Sequence, residues 1–208
     1  ENQIISELFA QYGRGYKLGS TDKETTDCVQ ILRNSPDFSK LVSNNPNRFF
    51  SEGSDLILDE KLGRVADVID RKDFSNISKY KPTKDKLYIF ALAKAPLYYK
   101  GKPNVAHLQI PIGLNKDPGK LSVIHASSIK GSVTIEEDVG TYLDSHDFDR
   151  VYVIEIDLNK PYSDNLYERE PFFEHKDNEG KTYERPAIYN LPLVLDKFTL
   201  IDPKKELS

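Results

Sequence analysis

Methionine and tryptophan are absent from this chain of 208 residues, and cysteine occurs once, at Cys28. A single cysteine excludes an internal disulfide framework and any zinc or iron–sulfur site built on several cysteines. It leaves a buried thiol, a reactive thiol or an intermolecular crosslink. No apolar run approaches the ~18 residues that a spanning helix needs, and mean hydropathy is −0.56, so no membrane-spanning segment is expected. Basic residues are not in excess: 29 Lys plus Arg stand against 33 Asp plus Glu, a formal charge of −4. Without a basic block, a counterion-releasing nucleic-acid surface has no compositional support. Because the chain begins at Glu1 and has no methionine, removal of an N-terminal segment by processing is expected.

What the chain does have is aromatic and β-branched residues. With 12 Tyr and 10 Phe it can bury a core of the size expected for one domain. Ile4, Ile5, Leu8 and Phe9 recur at helical spacing within residues 1–12, ahead of Gly13 and Gly15. Thr25, Thr26 and Asp27 offer N-cap oxygens to a helix that would carry Val29, Ile31 and Leu32 before Pro36, with Cys28 in its first turn. Further helices are expected over 37–45 and over 60–71, the latter from Leu62, Val65, Ala66 and Ile69.

Beyond Pro82 the pattern becomes that of strands, expected at 87–92, 105–114, 121–126, 132–135, 151–158 and, more weakly, 188–195. The turn-forming run Asn115 to Lys120 makes 105–126 an antiparallel hairpin. Residues 159–187 are polar and interrupted by Pro161, Pro171 and Pro186, the pattern of a long loop or flap. Helices followed by antiparallel strands define an α+β class in one domain, residues 1–208.

Cys28 is the first candidate for chemistry. A cysteine at a helix start sits where unsatisfied backbone N–H groups favour the thiolate, although Asp27 beside it opposes this unless its carboxylate is turned away. A small buried residue is the competing reading, since free cysteine is among the most buried residue types. Downstream, His107 lies near the start of one hairpin strand and His125 near the end of the next, so antiparallel pairing brings both imidazoles to the same end. Cys28, His107 and His125 could then supply nucleophile, base and orienter; either histidine alone could equally be a hydrogen-bonded core residue. His146 and His175 fall in polar segments, where surface placement is expected.

At these positions the chain resembles the NlpC/P60 cysteine peptidases of bacterial cell walls. Tyr16-Lys17-Leu18-Gly19-Ser20 followed by Asp27-Cys28 resembles the family's Tyr-x-x-Gly-Gly…Asp-Cys-Ser-Gly entry motif. His107-Leu108-Gln109-Ile110-Pro111-Ile112-Gly113 resembles its His-Val-Gly-Ile-Tyr-Ile-Gly strand, and Val123-Ile124-His125-Ala126-Ser127, with Gly131 and Val133, resembles its Val-His-Ala-Ser…Gly-Val segment. Together these cover residues 16–32 and 105–135. Val29-Gln30 departs from Ser-Gly and Ser20 from the second glycine. Relative to the common core, the resemblance marks insertions at about 46–100 and a C-terminal extension at about 140–208.

The resemblance implies a papain-like fold and amide hydrolysis without metal or organic cofactor. Cys28 would attack, His107 would accept and return the proton, His125 would orient His107, and water would resolve a thioester. It also implies a peptidoglycan stem-peptide substrate, a bacterial envelope, periplasmic or secreted location, and a substrate-amine site formed by Tyr16 and Asp27. The missing serine at Val29 weakens that amine site. Two alternatives stay open: a papain-like acyltransferase, deamidase or protease with another substrate, and a non-catalytic binding protein with a buried Cys28 whose Tyr and Phe residues in 159–189 line an interface. The oligomeric state is not encoded in any recognisable pattern.

Overall fold

The computed structural model describes residues 2–20, 22, 24–43, 64–99, 102–159, 170–176, 182–187 and 200–201. Three short helices come first: α1 (Gln3–Phe9), α2 (Gln30–Arg33) and α3 (Pro36–Ser43). Asn2 caps α1, its Oδ1 accepting from the amides of Ile4 and Ile5, while its Nδ2 donates to the Thr83 carbonyl. That last bond ties the helix to the turn ahead of the sheet. Glu7 of α1 accepts from the Asp37 amide and the Ser35 hydroxyl, so one acidic side chain satisfies the start of α3.

Eight strands form the main sheet in the order β2-β1-β7-β6-β5-β4-β8-β3. They are β1 (Gly15–Tyr16), β2 (Thr25–Thr26), β3 (Arg64–Asp70), β4 (Lys86–Tyr99), β5 (Lys102–Pro111), β6 (Val123–Ser127), β7 (Ser132–Glu136) and β8 (Arg150–Asp157). All neighbours pair antiparallel except β1 with β2. A 3₁₀ helix (Arg71–Lys79) and α4 (Val139–Asp144) complete this part. The β5–β6 hairpin expected around Asn115 to Lys120 is present, but its ladder holds only two pairs, Ile110 with Ile124 and Pro111 with Val123. Beyond them the strands separate, β5 continuing along β4 and β6 along β7.

The sheet has a different core on each face. On one, Ile4, Leu8, Ile31, Leu32 and Phe38 of the helices pack on Leu108, Ile110, Ile124, Ala126 and Ile154. On the other, Phe74 and Ile77 of the 3₁₀ helix and Val139 and Leu143 of α4 pack on Phe90, Leu92, Val123, Val151 and Val153, with Phe148. Alternation of side chains along each strand accounts for the division.

Three expectations are corrected. Residues 64–70 are strand β3 and not part of a helix over 60–71. Val68 packs on one core and Ile69 on the other, and a bulge between Val65 and Asp67 breaks the period of two, which leaves a spacing that mimics a helix. Segment 159–187 is not an unbroken loop: β9 (Glu170–Lys176) and β10 (Thr182–Ala187) pair antiparallel, and β9 also pairs with β11 (Leu200–Ile201). The chain is sheet-rich, with strands β1 and β2 already placed between the first helices, so it is not a simple succession of helices and then strands. The weaker strand at 188–195 lies outside the described residues.

Candidate functional site

Asp27 is the cap among the three oxygen-bearing residues at the start of α2. Its Oδ1 accepts from the amides of Val29 (3.0 Å) and Gln30 (2.7 Å), and its Oδ2 from the amide of Gly19 (2.9 Å). Thr25 and Thr26 are in β2 instead. Regular α2 starts at Gln30, so Cys28 occupies the capped turn just before the helix and not its first regular turn. The Asp27 carboxylate thus staples the Tyr16–Gly19 turn to the cysteine turn, with most of its acceptor capacity in use.

Cys28 and Val29 both pack against the helix-side core. Burial first, then the neighbouring Asp27 carboxylate, push the thiol pKa up to about 11. The backbone amides of Leu108, Cys28 and Val29 oppose this without prevailing. Tyr16 belongs to the same cluster: burial, then Cys28 and Asp27, raise its hydroxyl pKa. Tyr16 is fixed by its own amide, which donates to the Gly131 carbonyl. Gly131 has a φ of 73°, a left-handed turn that favours glycine.

The two histidines meet on the other side of β5. His107 Nε2 lies 2.6 Å from His125 Nδ1, and His125 Nε2 lies 3.1 Å from Glu136 Oε1, which Lys130 Nζ approaches to 2.9 Å. Gln109 Nε2 is 3.4 Å from the same His125 Nδ1. A bulge aims His107: Leu92 pairs with His107 and Ala93 with Val105, which leaves Ala106 as the extra residue. His125 is 1% exposed. Burial and then the neighbouring His125 push His107 down to about 3, and burial lowers His125 against the opposing pull of Glu136. Both rings are neutral at pH 7.

Beside His107 opens a cavity of about 330 Å³ lined in part by Ala106, Ser127, Tyr142, His146 and Phe148. The His107 ring stacks on Phe148 at 6.4 Å, and His146 stacks on Tyr142 at 3.8 Å. His146 is therefore a half-buried wall of this cavity, correcting its expected surface placement. His175 lies in β9, with its side chain outside the described residues.

The structure therefore assembles the candidate residues in two groups, Tyr16–Asp27–Cys28 and His107–His125. Among the described residues neither imidazole is hydrogen-bonded to the Cys28 sulfur. What they share is strand β5: Leu108, whose backbone is among those that lower the thiol pKa, packs on the Cys28 side, and the preceding His107 faces His125 on the other. Glu136, Gln109, Tyr142 and Phe148 were not singled out by sequence. The β6–β7 register was the signal that could have found Glu136: His125 faces Thr134 and Glu136 lies two residues further on, a diagonal that a long side chain can span. Among the described residues no group of three His, Cys, Asp or Glu side chains could hold a metal ion, and no helix is long and apolar enough to cross a membrane.

No protein-family model and no curated protein matches the chain. Among solved structures it is similar to NlpC1 from Trichomonas vaginalis, at 15% identity and a TM-score of 0.41 over 73% of this chain, and it spans 41% of that protein. It is similar also to an N-acetylmuramoyl-L-alanine amidase from Bacteroides uniformis, at 12% identity and a TM-score of 0.43, covering 74% of this chain and 98% of that one. Both likenesses are distant.

Proposed function

We propose that the chain is a cysteine hydrolase that cleaves an amide bond in peptidoglycan stem peptides, with Cys28 as nucleophile, His107 as base and His125 as its orienter. The observation that carries the proposal is the 2.6 Å contact between His107 Nε2 and His125 Nδ1. It engages Nε2 of His107; transfer of the thiol proton to the remaining Nδ1 requires Cys28, which packs on the other face of β5, to come within hydrogen-bond reach of that nitrogen.

The resting pair is neutral, because burial holds the thiol up and the imidazole down. Attack then couples two events. The Cys28 sulfur bonds to the carbonyl carbon as its proton passes to His107 Nδ1, and the imidazolium returns that proton to the departing amine. Water, deprotonated by His107, displaces the thiol from the thioester. The Cys28 amide would face the developing oxyanion, a contribution of about 3 kcal/mol at such sites.

Recognition of a free substrate amine would be weak. Asp27 is committed to three backbone amides, and Val29 is packed on the core. The same commitment favours a second reading, in which this trio acts on an amide or acyl carbonyl outside peptidoglycan. Incubation with purified peptidoglycan followed by mass analysis tests the proposal. A new amine and carboxylate pair that Cys28→Ala fails to produce supports it. Fragments that persist in Cys28→Ala overturn the nucleophile, and intact peptidoglycan overturns the substrate.

A further inference from the structure

We infer that Glu136 is a positioning residue that sets which nitrogen of His107 is a base, an inference that rests on His107 acting as the base of the proposed hydrolase. Glu136 lies 3.1 Å from His125 Nε2 and 2.9 Å from Lys130 Nζ. Burial would raise its carboxyl, but the hydrogen bonds and charges of Lys130 and His125 together hold it below the usual range. It is therefore ionised and can only accept hydrogen bonds. His125 must carry its N–H on Nε2.

Burial keeps the His125 ring neutral, so it has one N–H and its Nδ1 is a bare lone pair. Two nitrogens point at that lone pair, His107 Nε2 at 2.6 Å and Gln109 Nε2 at 3.4 Å. Two facing lone pairs at 2.6 Å would repel, so His107 Nε2 donates. His107 is neutral as well, which puts its remaining lone pair on Nδ1. An ionised carboxylate two rings away thus decides that the free nitrogen of His107 accepts a proton and does not present one.

Its geometry suits this task. Glu136 is opposite Val123 and diagonal to His125 across β6 and β7, close enough for its carboxylate to reach the ring. When His107 becomes an imidazolium, its Nε2–H bond to His125 strengthens and the ionised Glu136 lies at the far end of the same chain. No proton needs to leave Glu136 for this to help.

The test is ¹⁵N NMR of the intact protein labelled at histidine, with kinetics beside it. In the wild type, His107 and His125 are expected as neutral rings protonated at Nε2. Glu136→Ala should shift both toward mixed tautomers, while Glu136→Gln, whose carbonyl oxygen can still accept, should keep most of the wild-type pattern. In activity, Glu136→Ala should lower kcat at least about 10-fold with little change in KM; about 10⁴-fold is the ceiling for a base held in the wrong tautomer. Glu136→Gln should restore most of that loss. A wild-type spectrum with the proton of either ring on Nδ1 overturns the inference, and this readout remains even if Glu136→Ala fails to fold. Unchanged tautomers in Glu136→Ala overturn it too. The spectrum needs no substrate, so what it reports of Glu136 does not depend on whether peptidoglycan is cleaved. If the tautomers are as expected but cleavage is absent, it is the hydrolase proposal that fails.

Discussion

The two faces of strand β5 are both covered but not equally apolar. The face under α1, α2 and α3 is filled by aliphatic residues and Phe38, with Cys28 and Tyr16 at its margin. The face under the 3₁₀ helix and α4 holds Phe90, Val123 and Phe148, but also His107, Gln109 and His125. The first is stabilised mainly by apolar packing, with hydrogen bonds of Asn2, Glu7 and Gln11 holding its helices. The second tolerates buried imidazoles because each ring nitrogen in the chain from His107 Nε2 to Glu136 has a partner. The exception is the Gln109 Oε1, buried without a partner among the described residues, at a cost of about 1–3 kcal/mol. The aliphatic face thus carries the proposed nucleophile Cys28 at its margin, and the polar face carries the proposed base.

The sharpest way to break this contrast is Cys28→Ala. Hydrolysis should fall by at least about 10³-fold, as for loss of a nucleophile, while thermal melting changes little because the exchange deletes one sulfur at the margin of a packed face. Loss of the fold with loss of activity would assign Cys28 to packing alone. His107→Ala comes next, at about 10²- to 10⁴-fold, the range of a general base; His125→Ala should retain more activity, measured by kcat on the same substrate. A fully active His125→Ala would leave the orienter elsewhere.

Acid should distinguish the faces without any mutation. An unfolded histidine binds its proton near pH 6.5, whereas folded His107 resists until about 3. Between those values the unfolded state binds more protons, so stability is complete above about pH 6.5 and is lost as pH falls toward 3. The loss for His107 is at most about 5 kcal/mol. Denaturant melts across this window should show the slope, and His107→Gln should flatten it. The smallest effect is expected from Asp27→Ala, which removes the cap of the cysteine turn and should cost about 1–2 kcal/mol of stability in the same melts.

The sequence was legible where local rules and tertiary structure agree. Ile4 and Leu8 face the core as their helical spacing requires, and the β5–β6 hairpin brings the two imidazoles together as the turn residues imply. It was opaque where the environment decides. Strand β3 was hidden because both its faces are covered and a bulge breaks its period. The exposure expected of His146 gave way to its stacking on Tyr142, a contact made by the fold of α4 and the turn after it. Glu136 was invisible because its contact with His125 depends on the β6–β7 register, which one residue of slip would reverse. The bulge at Ala106 likewise has no local signature, yet it aims His107.

The central claim is that Cys28 and His107 act as one catalytic pair, the thiol coming within hydrogen-bond reach of His107 Nδ1 during attack. Its most direct test is mass spectrometry of the protein quenched during turnover of a stem-peptide substrate, followed by mapping of the peptide that contains Cys28. The account predicts an acyl adduct on Cys28 that forms much more slowly in His107→Ala and is absent in Cys28→Ala. Turnover that continues with no adduct on Cys28, and that survives in Cys28→Ala, would contradict it.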